Sequence, residues 1–550
     1  MLAATLTIVS ICLIAASSPY ILRLVGHSIG AQIRSRTQKR RELFFARAAN
    51  EAKSQPSNDI KSTDKSSSSA SVDDDWEKVN ATGSEASLTE QSEKTTPSDY
   101  AGIIGFFHPF CNAGGGGERV LFAAVLATQQ KYPKALCVVY TGDNDATKES
   151  IISNVHTRFN IKLNAARVAF VYLTTREWVL ASTWPHFTLL GQSLGSLILA
   201  WDALSLMPPD VFIDTMGYAF ALALSKWLFP KMPTCAYVHY PTISTDMLSS
   251  LHDESGTHGV NAGTGQGLKG KAKQMYWNVF AKAYSWVGGS IDIVMTNSTW
   301  TQNHISALWS RARQQRSKQY PIITVYPPCA VQELQDDIPL DETSQKHRTQ
   351  NLLYIAQFRP EKMHHIIIDA FHAFLKDHKP LAESEPKPKL ILLGSVRDDS
   401  DEKRVYKLRL QAQAIRDSVE FIVNAKWPQI LELLKSSSIG VNGMWNEHFG
   451  IGVVEYQAAG LISIVNRSGG PKEDIVVNVD DGPTSFHAST IEEYTEAFAQ
   501  ALSLSREQQY SMRQRARKSA LRFSEAVFCK AWTTQMERLV ALADPKAASL

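Results

Sequence analysis

The sequence predicts two successive α/β domains, each a parallel β-sheet wrapped by helices, carried behind an N-terminal membrane-spanning helix. Three observations predict this. From Ala101 onward, short apolar runs without strict alternation recur between amphipathic stretches, the pattern of buried parallel strands in βαβ units. A polar, charged segment from about Gln332 to Thr349 interrupts that pattern, which then restarts. Finally, Met1 to Leu22 contains no charged side chain. Two Rossmann-like domains of similar size would face each other across a cleft, where ligands sit at the carboxyl ends of the strands.

A chain of 550 residues suits two or three domains with cores of their own. A net charge of +3 is too small to argue for a nucleic-acid partner. The cysteines Cys12, Cys111, Cys137, Cys235, Cys329 and Cys529 are scattered, without C-x-x-C or a nearby histidine. Reduced thiols facing the cytosol fit this better than a zinc site or a disulfide framework.

The N-terminal apolar stretch is long enough to cross a bilayer as a helix. Arg23, Arg34, Arg36, Lys39, Arg40, Arg41 and Arg47 follow it, and no Lys or Arg precedes it. That asymmetry places the rest of the chain in the cytosol. The rival reading, a cleaved signal peptide, lacks its basic leading region. The expected organisation is an anchor over 1–25, then a basic juxtamembrane segment and disordered Ser-rich linker over 26–98. A first Rossmann-like domain follows over 99–340, then a second over 341–524. A helix within 525–550 completes the chain and returns to the first domain. The linker is expected because 48–98 is rich in Ser, Thr, Asp, Glu and Lys and lacks apolar periodicity.

In the first domain, strands are expected at 102–107, 135–140, 167–173, 211–214, 235–239 and 291–296. After the first comes HPFCNAGGGGERVLF, with Gly114, Gly115, Gly116 and Gly117 as a loop and a helix from near Glu118. Without Cβ atoms the backbone can approach a ligand closely, and the helix N–H groups can face an anion. The spacing is neither the dinucleotide fingerprint nor a P-loop. Two apolar, aromatic stretches, Trp178–Leu206 and Tyr276–Val287, read as core helices, with bilayer docking as the alternative.

In the second domain, strands are expected at 351–358, 389–394, 419–423, 439–442 and 461–465. Helices are expected near 362–375, 403–415, 429–434 and 451–459. Two motifs stand at strand ends. FRPEKMHH puts Arg359 and Lys362 where a helix begins, and two cations there can neutralise a departing diphosphate. EHFGIGVVEYQAAG puts Glu447 before a Gly-rich helix start and Glu455 eight residues later. In continuous helix that spacing would advance about 12 Å. One carboxylate could then meet a sugar hydroxyl and the other a ribose hydroxyl, with the helix N-terminus facing the diphosphate.

These motifs, in this order across two α/β halves, resemble the retaining nucleotide-sugar glycosyltransferases of the GT-B fold. Glu447 and Glu455 match the E-x7-E pattern of that family, Arg359 and Lys362 its diphosphate-binding pair, and Gly114–Gly117 its glycine loop. HPFCNAGGGGERVLF, YVHYPTISTDM, AQFRPEKMHH, NEHFGIGVVEYQAAG and SGGPKEDIV are similar, more closely, to the eukaryotic α-1,2-mannosyltransferases of asparagine-linked glycosylation. The resemblance covers about Gly102 to Arg522. It implies GDP-mannose as donor and a dolichyl-diphosphate-linked oligosaccharide as acceptor, extended by its fourth and fifth mannoses. It implies the cytosolic face of the endoplasmic reticulum membrane, other glycosyltransferases of the pathway as partners, and no metal or other cofactor. It further implies that Phe449, Gly450, Ile451 and Gly452 line the nucleotide sugar and that His239 lies near the reacting sugar. His108 and Asp246 are candidates for the acceptor side. A sibling transferase using another nucleotide sugar, such as UDP-N-acetylglucosamine, and a catalytically silent membrane scaffold remain open at this point.

Overall fold

The structure is a computed structural model that describes residues 2–54, 98–251 and 266–544, with side chains of the first helix from Tyr20 onward. The expected anchor lies in one continuous helix, Leu2–Ser54, much longer than the 1–25 expected. The extension is held by the first domain. Gly26 and Gly30 let the helix sit directly on Trp227 and Leu228, since a Cβ at Gly30 would come within 2.0 Å of the Leu228 carbonyl oxygen. Arg41 pairs with Asp210 at 2.6 Å and Lys148 with Glu51 at 2.5 Å. These partners are distant in sequence, which is why the local pattern gave no sign of them. The Ser-rich linker beyond 54 lies outside the described residues.

The first domain is a seven-stranded parallel sheet in the order β3-β2-β1-β4-β5-β6-β7. Its strands are β1 Ile103–Phe107, β2 Leu136–Thr141, β3 Val168–Tyr172, β4 Val211–Asp214, β5 Thr234–Val238, β6 Ile293–Thr296 and β7 Ile322–Thr324. The second domain's sheet runs β10-β9-β8-β11-β12-β15. It comprises β8 Leu352–Ile355, β9 Leu390–Gly394, β10 Val419–Val423, β11 Ile439–Asn442, β12 Ile462–Asn466 and the short β15 Phe486–Ala488, with β13 Asn478–Val479 and β14 Gly482–Pro483 as a separate hairpin. Every strand anticipated from the sequence is present. The ones missed, β7 and β13 to β15, are two or three residues long, too short to carry a periodicity.

Both sheets reverse direction at the same place in their order, between β1 and β4 and between β8 and β11. Crevices at the carboxyl ends of strands open at such switch points. The loops after β1, β4, β5, β8 and β11 therefore converge, and these loops carry most of the candidate residues.

The final helix, Glu525–Ala543, crosses back to the first domain as expected. Phe528, Trp532, Met536, Leu539 and Val540 complete one of that domain's two cores. Trp532 is fully buried, stacks on Phe106 and donates its indole N–H to the Thr128 hydroxyl at 3.0 Å.

The two stretches read as core helices differ from that expectation. Residues 176–183 form 3-10 turns, and the helix proper is Thr188–Leu206. Leu190, Leu194, Ile198 and Trp201 lie exposed along one face of it, and their near-fourfold spacing is the i, i+4 row of one helix surface. The helix Gly267–Gly288 likewise exposes Leu268, Met275, Val279 and Trp286. Each helix buries its opposite face against neighbouring helices of the first domain, so composition alone read both as fully interior. Thr188–Leu206 is also the one helix, among the described residues, with the length and hydropathy to cross a membrane.

Replacing Trp532 by Ala should destabilise the protein by about 3–5 kcal/mol, the usual cost of emptying a buried aromatic site. Thermal unfolding of the detergent-purified chain measures it, and an unchanged melting temperature would show that the returning helix contributes no packing.

Candidate active site

Lys362 and Glu447 meet at the switch point of the second domain. Lys362 ends the 3-10 turn Pro360–Lys362 after β8, and Glu447 lies in the loop after β11. The ammonium donates to Glu447 Oε2 at 2.5 Å, and Asn442 Nδ2 reaches the same oxygen at 3.4 Å. Burial pushes the Glu447 carboxyl pKa up, but Lys362 outweighs it and the net shift is downward. Glu447 is thus held ionised.

The chain reaches this geometry through two left-handed residues, Asn446 (φ 51°) and Gly450 (φ 104°). The helix Ile451–Ala458 starts after Gly450, so Glu447 stands before the helix and Glu455 within it, with no continuous helix joining them. Gly452 comes close to the Ile355 carbonyl at the end of β8. The side chain of Phe449 is 3% exposed and packs on Tyr326 and Phe523. It is therefore a core residue that anchors the loop, and only its backbone is placed to line a ligand.

Arg359 is the extended N-cap residue of the same turn. It lies 3.8 Å from Glu361 and lines a depression of about 210 Å³ with His365, Arg404 and Lys407. Neither Lys362 nor Glu447 borders that depression.

Across the cleft, the first domain presents the glycine loop. Gly114 is left-handed (φ 81°), and a Cβ there would strike Arg158. The helix begins at Gly116, two residues earlier than expected, because the Glu118 side chain accepts from Gly115 N–H at 2.8 Å and caps it. Gly116 lies directly against Ile451, so a Cβ would come within 2.8 Å of its Cδ1. The loop and the E-x7-E helix start therefore form one surface. Gly117 lies beside His239, whose Nε2 is buried without a hydrogen-bond partner. Burial lowers the His239 pKa to about 4, leaving a neutral ring. Arg119, one turn into the helix, pairs with Glu525 at 2.5 Å. Burial pushes the Glu455 pKa up, and the charge of Arg119 pulls against it.

Two acceptor-side candidates are otherwise engaged. His108 is 1% exposed, bonded through Nδ1 to the Thr215 hydroxyl at 2.8 Å, with burial lowering its pKa to about 3. Its ring lies beneath the surface. Asp246 reaches across the cleft. It accepts from Asn446 Nδ2 at 2.7 Å and from Trp300 Nε1 at 3.3 Å, and lies 3.4 Å from His304 Nε2. It latches the first domain to the residue before Glu447. No group of three His, Cys, Asp or Glu side chains among the described residues is arranged to hold a metal ion.

Comparison with known proteins extends the geometry. Residues 101–309 match the family model described as ALG11 mannosyltransferase N-terminus, and residues 340–519 match glycosyl transferases group 1. The chain is 55% identical over 542 residues to the GDP-Man:Man(3)GlcNAc(2)-PP-Dol alpha-1,2-mannosyltransferase of Neurospora crassa, covering 96% of this chain and 95% of that one. The chain belongs to this family. The Homo sapiens member is 45% identical over 442 residues, covering 80% of this chain and 87% of the relative. Among solved structures, Anabaena HepE in complex with UDP and glucose aligns with a TM-score of 0.52 at 15% identity, over 79% of this chain and 98% of that one. A UDP-forming trehalose-phosphate synthase from Burkholderia xenovorans aligns at 0.54 and 12%, over 80% and 99%. At such identities what is shared is the fold, GT-B.

Within this family's site, the structure adds residues to which the sequence assigned no role. Ser468, Gly469 and Gly470 buttress the Glu447 loop: Ser468 accepts from Asn446 N–H at 2.7 Å, and Gly470 N–H donates to the Glu447 carbonyl at 2.8 Å. A Cβ at Gly469 would come within 2.2 Å of that carbonyl. His448 is flanked by Tyr240 and Trp300 of the first domain, with ring centroids at 4.2 and 5.5 Å. Asp474 accepts from Thr299 and Tyr326 across the same boundary. The SGGPKEDIV motif was visible in the sequence, but its partners lie elsewhere in the chain.

The buried histidines make stability depend on pH. His364, stacked near Tyr354 and Phe358, has its pKa lowered by burial, and then by Lys362, from 6.5 to about 3. Its contribution is complete above pH 6.5. It is lost as pH falls toward 3, because the unfolded chain takes up the proton first. His364→Phe should therefore gain on wild type in urea unfolding as pH falls from 6.5 to 4. A stability difference that stays constant over that range would contradict the burial argument.

Proposed function

We propose that the chain transfers mannose from GDP-mannose to a dolichyl-diphosphate-linked Man(3)GlcNAc(2) acceptor, forming the α-1,2 linkages that add the fourth and fifth mannoses. The observation that carries this is the 55% identity over 96% of the chain to a relative bearing that name. The Lys362–Glu447 pair at the helix start gives it chemical form. The sibling and scaffold alternatives have no comparable support.

In this reading the diphosphate lies over the N-terminus of the helix Ile451–Ala458, where unpaired backbone N–H groups favour an anion. The bond between sugar C1 and the diphosphate oxygen breaks, and its electron pair leaves with GDP. The acceptor hydroxyl oxygen bonds to C1 on the same face, and its proton passes to the diphosphate. Lys362 stabilises the charge that develops on the leaving group. Glu447, kept ionised by Lys362, orients sugar hydroxyls. Glu455 holds the ribose, and neutral His239 offers its unpaired Nε2 to the sugar. Arg359 supports the same anion only from the edge of its own depression. Lysine and the helix terminus supply positive charge where a metal ion would otherwise be needed, so transfer is expected to proceed without one.

The site of action is the endoplasmic reticulum membrane, with a single span and both domains on the cytosolic face. The basic residues after the apolar stretch support this orientation. Of the sequons Asn80-Ala-Thr, Asn297-Ser-Thr and Asn466-Arg-Ser, Asn297 and Asn466 are only 4% and 7% exposed, so the folded protein hides them on either side of the membrane. Protease access is the better reporter. A tag after Leu550 should be digested in sealed microsomes, whereas protection would place the domains in the lumen.

Purified protein given GDP-mannose and a lipid-linked trimannosyl acceptor should release GDP and extend the glycan by two hexoses. Glu447→Gln should lower kcat by at least about a hundredfold, the scale of losing one electrostatic partner of the transition state. Transfer from a UDP-sugar with none from GDP-mannose would overturn the donor assignment, and full activity in Glu447→Gln would overturn the site.

A further inference from the structure

An apolar groove of about 520 Å³ lies on the first domain beside the cleft. Phe187 and Leu189 border it from the start of the helix Thr188–Leu206, and Tyr276 and Trp277 from the helix Gly267–Gly288. Met247 closes it from the short helix Thr245–Ser250. Among the described residues, the one charged side chain in its lining is Lys273, whose ammonium lies over the Trp277 ring at 4.9 Å. Nothing in the transfer chemistry above uses this groove.

Its position connects two surfaces. Met247 adjoins Asp246, which bonds Asn446 beside Glu447. On the other side the groove meets the exposed apolar rows, through Leu190 next to Leu189 and Met275 next to Tyr276. An occupant must therefore be apolar over most of its length, belong to a bilayer and deliver a group to the cleft. Its polar end must be anionic: the helix Gly267–Gly288 carries Lys269, Lys271, Lys273 and Lys282 and no carboxylate.

We infer that this groove holds the first isoprene units of the acceptor's polyprenyl chain, with its diphosphate against Lys273. The inference rests on the reaction proposed above and adds a lipid subsite to it. A bulk phospholipid would satisfy the apolar wall but would have no reason to lie one residue from the latch on the catalytic loop. The volume falls within the range of pockets that enclose a small ligand. The groove selects for the lipid as well as tethering it, and places the diphosphate so that the glycan runs past Asp246 into the cleft.

The test uses the full chain in detergent micelles with saturating GDP-mannose and two acceptors. Both carry the same glycan diphosphate, one on a phytanyl chain and one on a butyl chain. Wild type should prefer the phytanyl acceptor in kcat/KM by about tenfold or more, equivalent to about 1.4 kcal/mol. Ala272→Trp, which fills the groove from an exposed helix position, should collapse that preference and leave KM for GDP-mannose unchanged. Lys273→Gln should weaken both acceptors alike, since both carry the diphosphate. Equal use of the two acceptors by wild type, or an unaltered preference in Ala272→Trp, would overturn the subsite. So would a variant that loses vesicle flotation yet keeps the preference, which would make the groove a bilayer contact only. Failure of wild type to transfer to either acceptor would instead sink the reaction assignment, and the subsite with it.

Discussion

The partly buried ion pair between Lys362 and Glu447 is the interaction around which the second domain's cleft face is arranged. Each charge offsets part of the hydration the other has lost, at 2.5 Å. The pairing requires that β8 and β11 be neighbours, which they are. It also requires the chain after β11 to turn back sharply, and this accounts for the left-handed Asn446 and Gly450 and for the close approach of Gly469 and Gly470. A conformation this constrained persists only where its surroundings over-determine it.

Those surroundings extend into the other domain. Asp246 holds Asn446, Tyr240 and Trp300 flank His448, and Asp474 holds Thr299 and Tyr326. All three contacts sit within or beside the loops that present Glu447. Closure of the cleft and the position of the carboxylate are therefore not independent. The returning helix Glu525–Ala543 makes the same connection from behind. It ties Arg119 to Glu525 while Arg119 also faces Glu455.

The first domain has a second task, visible in its surface. The helices Leu2–Ser54, Thr188–Leu206 and Gly267–Gly288 all expose apolar residues, and such rows mark a surface meant for something other than water. The first of them packs against Trp227 and Leu228 through its glycines. The long first helix is therefore fixed to the globular domain along its later turns rather than joined to it by a loose tether. This arrangement suits a donor taken from solution and an acceptor presented from the bilayer.

The sequence by itself determined the two α/β halves and nearly every long strand, because a strand buried on both faces must be apolar throughout and shows it locally. It also placed Lys362, Glu447, Gly450 and Glu455 within or beside short motifs at strand ends and a helix start, where the structure has them. Only the tertiary structure decided what depends on partners far along the chain. It set Arg359 beside Arg404 and Lys407, which lie far from it along the chain. It made His108 and Phe449 interior and turned Asp246 into a latch, because burial and cross-domain contact leave no trace in local pattern. It exposed one face of each of two helices that composition read as core, because an apolar helix looks the same in sequence whether its outer face meets protein or lipid.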